Sequence, residues 1–131
     1  MEKKYTIVKT IKVQAAHKLD LPYVSACTRL HGHQWKIKVS VSAYSLNEDG
    51  MVIDFEIIKG IVNRLDHNYI NDVINSSKEK EEYDNPTAEN IADYLIDELN
   101  QGLLSLSNSP WVEKIEVWET ENNKVIVEIC K

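Results

Sequence analysis

Hydrophobic and polar positions alternate along the first third of the chain. From Tyr5 to His17 the odd positions read Tyr5, Ile7, Lys9, Ile11, Val13, Ala15 and His17, while the even ones include Thr6, Thr10, Lys12 and Gln14. From His31 to Ala43 the odd positions are His31, His33, Trp35, Ile37, Val39, Val41 and Ala43, set against Gln34, Lys36, Lys38, Ser40 and Ser42. A period of two with one apolar side predicts two β-strands, each burying one face. The stretch between them, Leu19 to Leu30, reads as a connection carrying Pro22, Cys27 and Arg29.

The period then lengthens. Asp54 predicts an N-cap, and Phe55, Ile57, Ile58, Ile61, Val62 and Leu65 behind it form a helical apolar stripe. A polar loop runs from Asn75 to Asp84. Asn85-Pro86 then predicts an N-cap followed by proline at the first helical position. Ala88, Ile91, Ala92, Leu95 and Leu99 recur at helical spacing, and Gly102 predicts the stop. Two more strand-like runs, Trp111 to Thr120 and Lys124 to Ile129, flank the turn Glu121-Asn122-Asn123. The order strand, strand, helix, helix, strand, strand predicts an antiparallel α+β domain rather than a wound parallel sheet.

Composition narrows the class. With 131 residues, 43% of them apolar and 27% charged, the chain suits one globular domain, residues 1–131. No apolar run reaches the roughly 18 residues of a membrane span. The start, Met1-Glu-Lys-Lys-Tyr5, enters the first alternating stretch with no signal-peptide core, and two cysteines make no disulfide framework. A cytosolic location is the expectation.

The net charge of −6 argues against a nucleic-acid binder held by phosphate contacts. That mean conceals an asymmetry. Residues 1–40 hold eight Lys/Arg against Glu2 and Asp20, so that segment is +6 and the remainder −12. Solvated strand and helix faces account for the pattern, and so does a positive surface near a site for a small anionic substrate.

Four histidines carry the candidate chemistry. In His31-Gly32-His33 the two imidazoles share one strand face, and Gly32 leaves room for close approach. His17 ends the first strand on its own apolar face. If the two strands pair, three imidazoles converge in the arrangement of a zinc site with an open fourth position; a histidine ending an apolar face also reads as a hydrogen-bonded core residue. Cys27 precedes His31 in Cys27-Thr-Arg-Leu-His31. It reads as a fourth ligand closing the site, as a base whose thiol is acidified by metal and Arg29, or as a buried small hydrophobe. Asp66-His67 follows the first predicted helix, where a carboxylate can orient an imidazole. Glu119 falls on the apolar side of its strand, so it lies either at an exposed strand end or buried to accept N–H groups of a ligand. Cys130 has no such neighbours.

Taken together, His17, Cys27-x-x-x-His31-Gly-His33, Leu65-Asp66-His67, Asn85-Pro86-Thr87-Ala88-Glu89-Asn90 and Trp118-Glu119-Thr120 resemble the 6-pyruvoyltetrahydropterin synthase family over nearly the whole chain. The resemblance implies the tunnelling fold, a four-stranded antiparallel sheet with two helices on one face. Three such sheets would close a barrel, and two trimers would stack into a homohexamer. It further implies zinc held by His17, His31 and His33, Cys27 as proton acceptor, Asp66 and His67 as a relay, and Glu119 anchoring a pterin ring. Thr87 and Glu89 would line the pterin pocket, while Arg29 and the basic N-terminal segment would suit a triphosphate.

The spacing of Cys27 to His31 resembles the 6-carboxytetrahydropterin synthase branch, which serves queuosine formation. Biopterin-type members have a longer gap, and a third type replaces the cysteine by glutamate. The branch implies conversion of 7,8-dihydroneopterin triphosphate to 6-carboxy-5,6,7,8-tetrahydropterin, acetaldehyde and triphosphate. The alternatives are triphosphate elimination without side-chain cleavage, and a non-catalytic zinc- and pterin-binding oligomer. The charged 75–84 loop is longer than in compact bacterial members, and Trp35 and Trp118 stand where other apolar residues are expected.

Overall fold

The two alternating stretches pair along their whole length. In a computed structural model, which describes residues 1–76 and 85–130, β1 (Tyr5–His17) and β2 (His31–Ala43) run antiparallel. Tyr5 stands opposite Ala43 and His17 opposite His31. β3 (Trp111–Thr120) pairs with β2, and β4 (Asn123–Glu128) pairs with β3, giving an antiparallel sheet in the order β1-β2-β3-β4. This is the expected ββααββ arrangement, with the turn at Glu121-Asn122 joining the last two strands.

The sheet uses its two faces differently. Val13, Ile37, Val39, Ile115 and Val117 are buried with helix residues such as Ile58, Ile91, Leu95 and Leu99 in one core cluster. The opposite face is polar. There Glu116 takes Lys124 Nζ at 3.0 Å and Lys38 Nζ at 3.7 Å, and Lys36 and Lys124 lie over the Trp118 ring at 4.1 and 4.6 Å.

α1 (Phe55–Val62) begins at the expected cap, the Asp54 carboxylate accepting the Glu56 N–H at 2.9 Å. It is shorter than its stripe, since a 3₁₀ turn (Asn63–Leu65) carries Leu65 into the core, and Phe55 and Ile57 stay exposed. A one-turn helix absent from the sequence reading, α2 (Ile70–Ile74), buries Ile70 and Ile74. α3 (Ala88–Leu103) starts later than expected. Its cap is Thr87, whose Oγ1 accepts the Asn90 N–H at 3.1 Å, so Asn85 and Pro86 precede the helix instead of opening it. Gly102 does not stop it either. A Cβ there would meet Ile61 Cδ1 at 3.1 Å, so the glycine marks where α1 and α3 approach. The 75–84 loop lies outside the described residues from 77 onward.

Two irregularities matter for the site. The register of β3 with β4 shifts between Trp118 and Thr120, leaving Glu119 as the extra residue of a bulge, a device that re-aims a side chain. On the outer edge of β1, the His67 N–H donates to Gln14 O at 2.6 Å and the Ala16 N–H to Asn68 O at 3.2 Å. That segment covers the histidine end of β1, with Ala16 and Tyr69 in a parallel bridge. No helix among the described residues is long and apolar enough to cross a membrane.

Candidate active site

The register that buries the odd positions also brings the histidines together. His17 and His31 are direct cross-strand partners, and His33 lies one same-face position along β2. Their ring centroids are 4.5 Å apart for His17–His31, 5.3 Å for His17–His33 and 4.8 Å for His31–His33. Trp35 floors the group. Its ring meets His17 and His33 edge-on at 4.9 and 5.3 Å, and its Nε1–H is satisfied by Ala15 O at 3.2 Å.

Backbone carbonyls fix two of the rings. His17 Nδ1 lies 2.8 Å from Pro86 O, and His31 Nδ1 lies 2.7 Å from Arg29 O. A carbonyl only accepts, so each Nδ1 carries a proton, and Nε2 is the nitrogen left to a ligand. Metal-binding histidines are oriented in this way. The ligand atoms of His17, His31, His33 and Glu119 all lie within 4.8 Å of one another. The Nε2 atoms of His17 and His33 are buried and accept or donate no hydrogen bond. Glu119 Oε1 is near both, at 3.4 and 3.1 Å, without forming a hydrogen bond to either. Burial of His17, with its neighbouring imidazoles, outweighs the Pro86 carbonyl and Glu119 and shifts its pKa downward, keeping it neutral. Neutral imidazole nitrogens and a carboxylate are a donor set suited to zinc.

Cys27 sits in the 3₁₀ turn Ala26–Thr28, capped by Ser25 Oγ, which accepts the Cys27 N–H at 3.1 Å. Its carbonyl accepts the Leu19 N–H at 2.8 Å, tying the two ends of the connection. Cys27 is half-buried and forms no disulfide, and its sulfur is not one of the convergent ligand atoms. The fourth member of the convergent group beside the three imidazoles is Glu119, which the sequence placed either at an exposed strand end or against the N–H groups of a ligand.

Asp66 and His67 do contact each other. His67 Nδ1 lies 3.0 Å from Asp66 Oδ2, and Asp66 Oδ1 accepts the Gln14 N–H at 2.8 Å. These contacts, that from Gln14 first, hold the Asp66 carboxyl below its ordinary pKa. His67 has φ of 57°, in the left-handed region that non-glycine residues seldom occupy. It shares an open cleft of about 600 Å³ with His33, Gly32 and Tyr69. A larger cleft of about 740 Å³, lined by residues of the 18–24 turn with Thr28 and Asn71, adjoins it through Tyr69.

Residues 6–130 match the family model described as 6-pyruvoyl tetrahydropterin synthase. The chain belongs to that family. Among its relatives, 6-carboxy-5,6,7,8-tetrahydropterin synthase of Synechocystis sp. is 32% identical, covering 88% of this chain and 87% of that protein. The protein of the same name from Aquifex aeolicus is 30% identical over 92% and 96%, and that of Bacillus subtilis 29% over 88% and 80%. The solved 6-pyruvoyl tetrahydropterin synthase of Caenorhabditis elegans superposes with a TM-score of 0.71 at 21% identity, over 98% of this chain and 97% of that one. The Plasmodium falciparum enzyme gives 0.62 at 24%, over 96% and 98%. The fold is the tunnelling fold.

In this family member the remaining site residues divide. Thr87 is engaged as the cap of α3, and Glu89 is exposed on its first turn. The Arg29 side chain is exposed, while its carbonyl orients His31. The run from Asn85 to Asn90 works as a brace. Asn85 Oδ1 accepts the Asp20 N–H at 2.9 Å, its Nδ2 donates to Asp20 O at 3.3 Å, and Asn90 Nδ2 donates to Asn85 O at 2.7 Å. Asn71 does the same at Lys18, with bonds of 3.0 and 2.8 Å. The sequence reading gave Asn85 a capping role and missed Asn71 and the Pro86 carbonyl, whose partners lie far along the chain.

Proposed function

We propose that the chain is a zinc-dependent 6-carboxytetrahydropterin synthase, a lyase acting as one domain. It would convert 7,8-dihydroneopterin triphosphate to 6-carboxy-5,6,7,8-tetrahydropterin, acetaldehyde and triphosphate. The observation that carries this reading is the convergence of three imidazoles, two of them with Nδ1 tied to a main-chain carbonyl. The names of the relatives support the branch.

His17, His31 and His33 would hold the zinc, which when bound supplies Lewis-acid polarisation of side-chain oxygens on the substrate. Cys27 takes a proton from the side-chain carbon. His67, oriented by Asp66, moves a proton at a second position. Glu119 accepts the ring N–H groups of the pterin, with Thr87 and Glu89 bordering the ring and Arg29 facing the triphosphate. The product enters queuosine formation in the cytoplasm, and the working assembly is a homohexamer of two trimers.

Incubating the purified protein with 7,8-dihydroneopterin triphosphate tests the reading. Acetaldehyde and triphosphate in equal amounts support it. Triphosphate with a pyruvoyl pterin and no acetaldehyde places the chain with 6-pyruvoyltetrahydropterin synthases instead, and no turnover places it with binding proteins.

A further inference from the structure

Glu119 stands in a position that anchoring a pterin ring does not account for. Its Oε1 is 3.1 Å from His33 Nε2 and 3.4 Å from His17 Nε2, within the same 4.8 Å group as the His31 ligand atom. Neither nitrogen makes a hydrogen bond, and both are buried. His17 donates through Nδ1 to Pro86 O, so its neutral ring keeps a lone pair on Nε2, 3.4 Å from the carboxylate. Electron pairs on a carboxylate oxygen and on a buried imidazole nitrogen repel at that distance. A cation between them reverses the sign.

The backbone gives this carboxylate latitude. Glu119 is the extra residue of the bulge between Trp118 and Thr120, outside the regular ladder, and its side chain is 29% exposed whereas that of His17 is 1%. One carboxylate can turn either toward the imidazoles or toward the N–H groups of a ring.

We propose that Glu119 is a two-position ligand: without substrate it is the fourth metal ligand and closes the site, and an arriving pterin ring draws it away through its N–H groups and opens that position. The proposal rests on the zinc reading above and extends it to the resting state. A closed four-ligand site holds metal firmly and excludes water, and an open one accepts substrate oxygens. The coupling is reciprocal, so the ring that removes Glu119 from the metal also loosens the metal.

The test uses the full-length protein loaded with zinc or cobalt(II), and pterin itself as probe, because it carries the ring N–H groups without the side-chain oxygens. Zinc affinity is measured by chelator competition, and cobalt coordination by visible absorption. In Glu119→Gln, zinc should bind at least about tenfold more weakly, the scale of loss seen even for groups behind the ligands. Pterin should move the cobalt spectrum of the wild type toward that of free Glu119→Gln, and should leave the variant's spectrum unchanged. Glu119→Asp keeps the charge on a shorter stem and should fall between the two, with circular dichroism verifying the fold of each. Equal zinc affinity and identical cobalt spectra in wild type and Glu119→Gln would overturn the proposal while leaving the three-histidine site intact. Metal retained after the joint loss of His31 and His33 would overturn both.

Discussion

His17 Nδ1 donates to the carbonyl of Pro86 across 69 residues of chain, at 2.8 Å. The bond joins the end of β1 to the entrance of α3. It exists because α3 begins only after Thr87, which leaves the Pro86 carbonyl outside the helical ladder and free to accept. A brace on that carbonyl is therefore a brace on an imidazole.

Asn85→Ala removes two bonds to Asp20 at about 1 kcal/mol each. The variant should lose about 1–2 kcal/mol of stability in urea unfolding. It should also bind zinc more weakly than a control at an exposed site such as Lys59→Ala.

The metal itself gives the next expectation. Purified protein should contain about one zinc per chain by elemental analysis. The change of both His31 and His33 to alanine should abolish it. Stoichiometric zinc in that double variant would refute the assignment.

The Cys27 sulfur is not among the convergent ligand atoms. Cys27→Ala should therefore keep its zinc and lose about 10²–10⁴-fold in turnover, the share of general acid–base catalysis. Zinc lost from a folded Cys27→Ala protein would make the thiol a ligand after all.

How far the sequence foretold this site follows from what each part depends on. The bounds of β1, β2 and β3 were readable because a strand with one buried face repeats every two residues. The same rule put His17, His31, His33 and Glu119 on the helix-covered side. Helix ends were less readable. Asn85-Pro86 carries the residue types of a cap and first turn, yet Thr87 caps α3 and Asn85 is used across the fold on Asp20. Gly102 looked like a stop for want of knowing that Ile61 lies against it. The bulge at Glu119 depends on how β4 registers against β3, which no local pattern states.

Acid should expose the Asp66 contacts. The Gln14 N–H, and then His67, hold this carboxyl below its ordinary value. A depressed folded pKa stabilises above the unfolded value, about 4, and that stabilisation disappears as pH falls through the folded value. Wild type should thus be more stable than Asp66→Asn near pH 6. The gap should close below about pH 4, followed as unfolding midpoints against pH. A gap that is constant with pH would mean that the Asp66 charge plays no part.

Assembly can be tested through the sheet edges. β1 is covered by the 66–69 segment only near Gln14 to Ala16, and both it and β4 end the sheet. Open edges of this kind are closed in barrels. Light scattering should give a trimer-based mass, six chains in the full assembly, and Val8→Pro or Ile126→Pro, at positions whose N–H faces away from the sheet, should break it down. A monomer at micromolar concentration would contradict the proposed hexamer.

All four convergent ligand atoms come from β1, β2 and β3 of a single chain. On the proposed zinc site and hexamer, a newly made subunit would therefore be able to take up its ion before it meets another copy. Loading and association would then be separate events, and metal shortage would yield empty assemblies open to later filling rather than orphaned subunits.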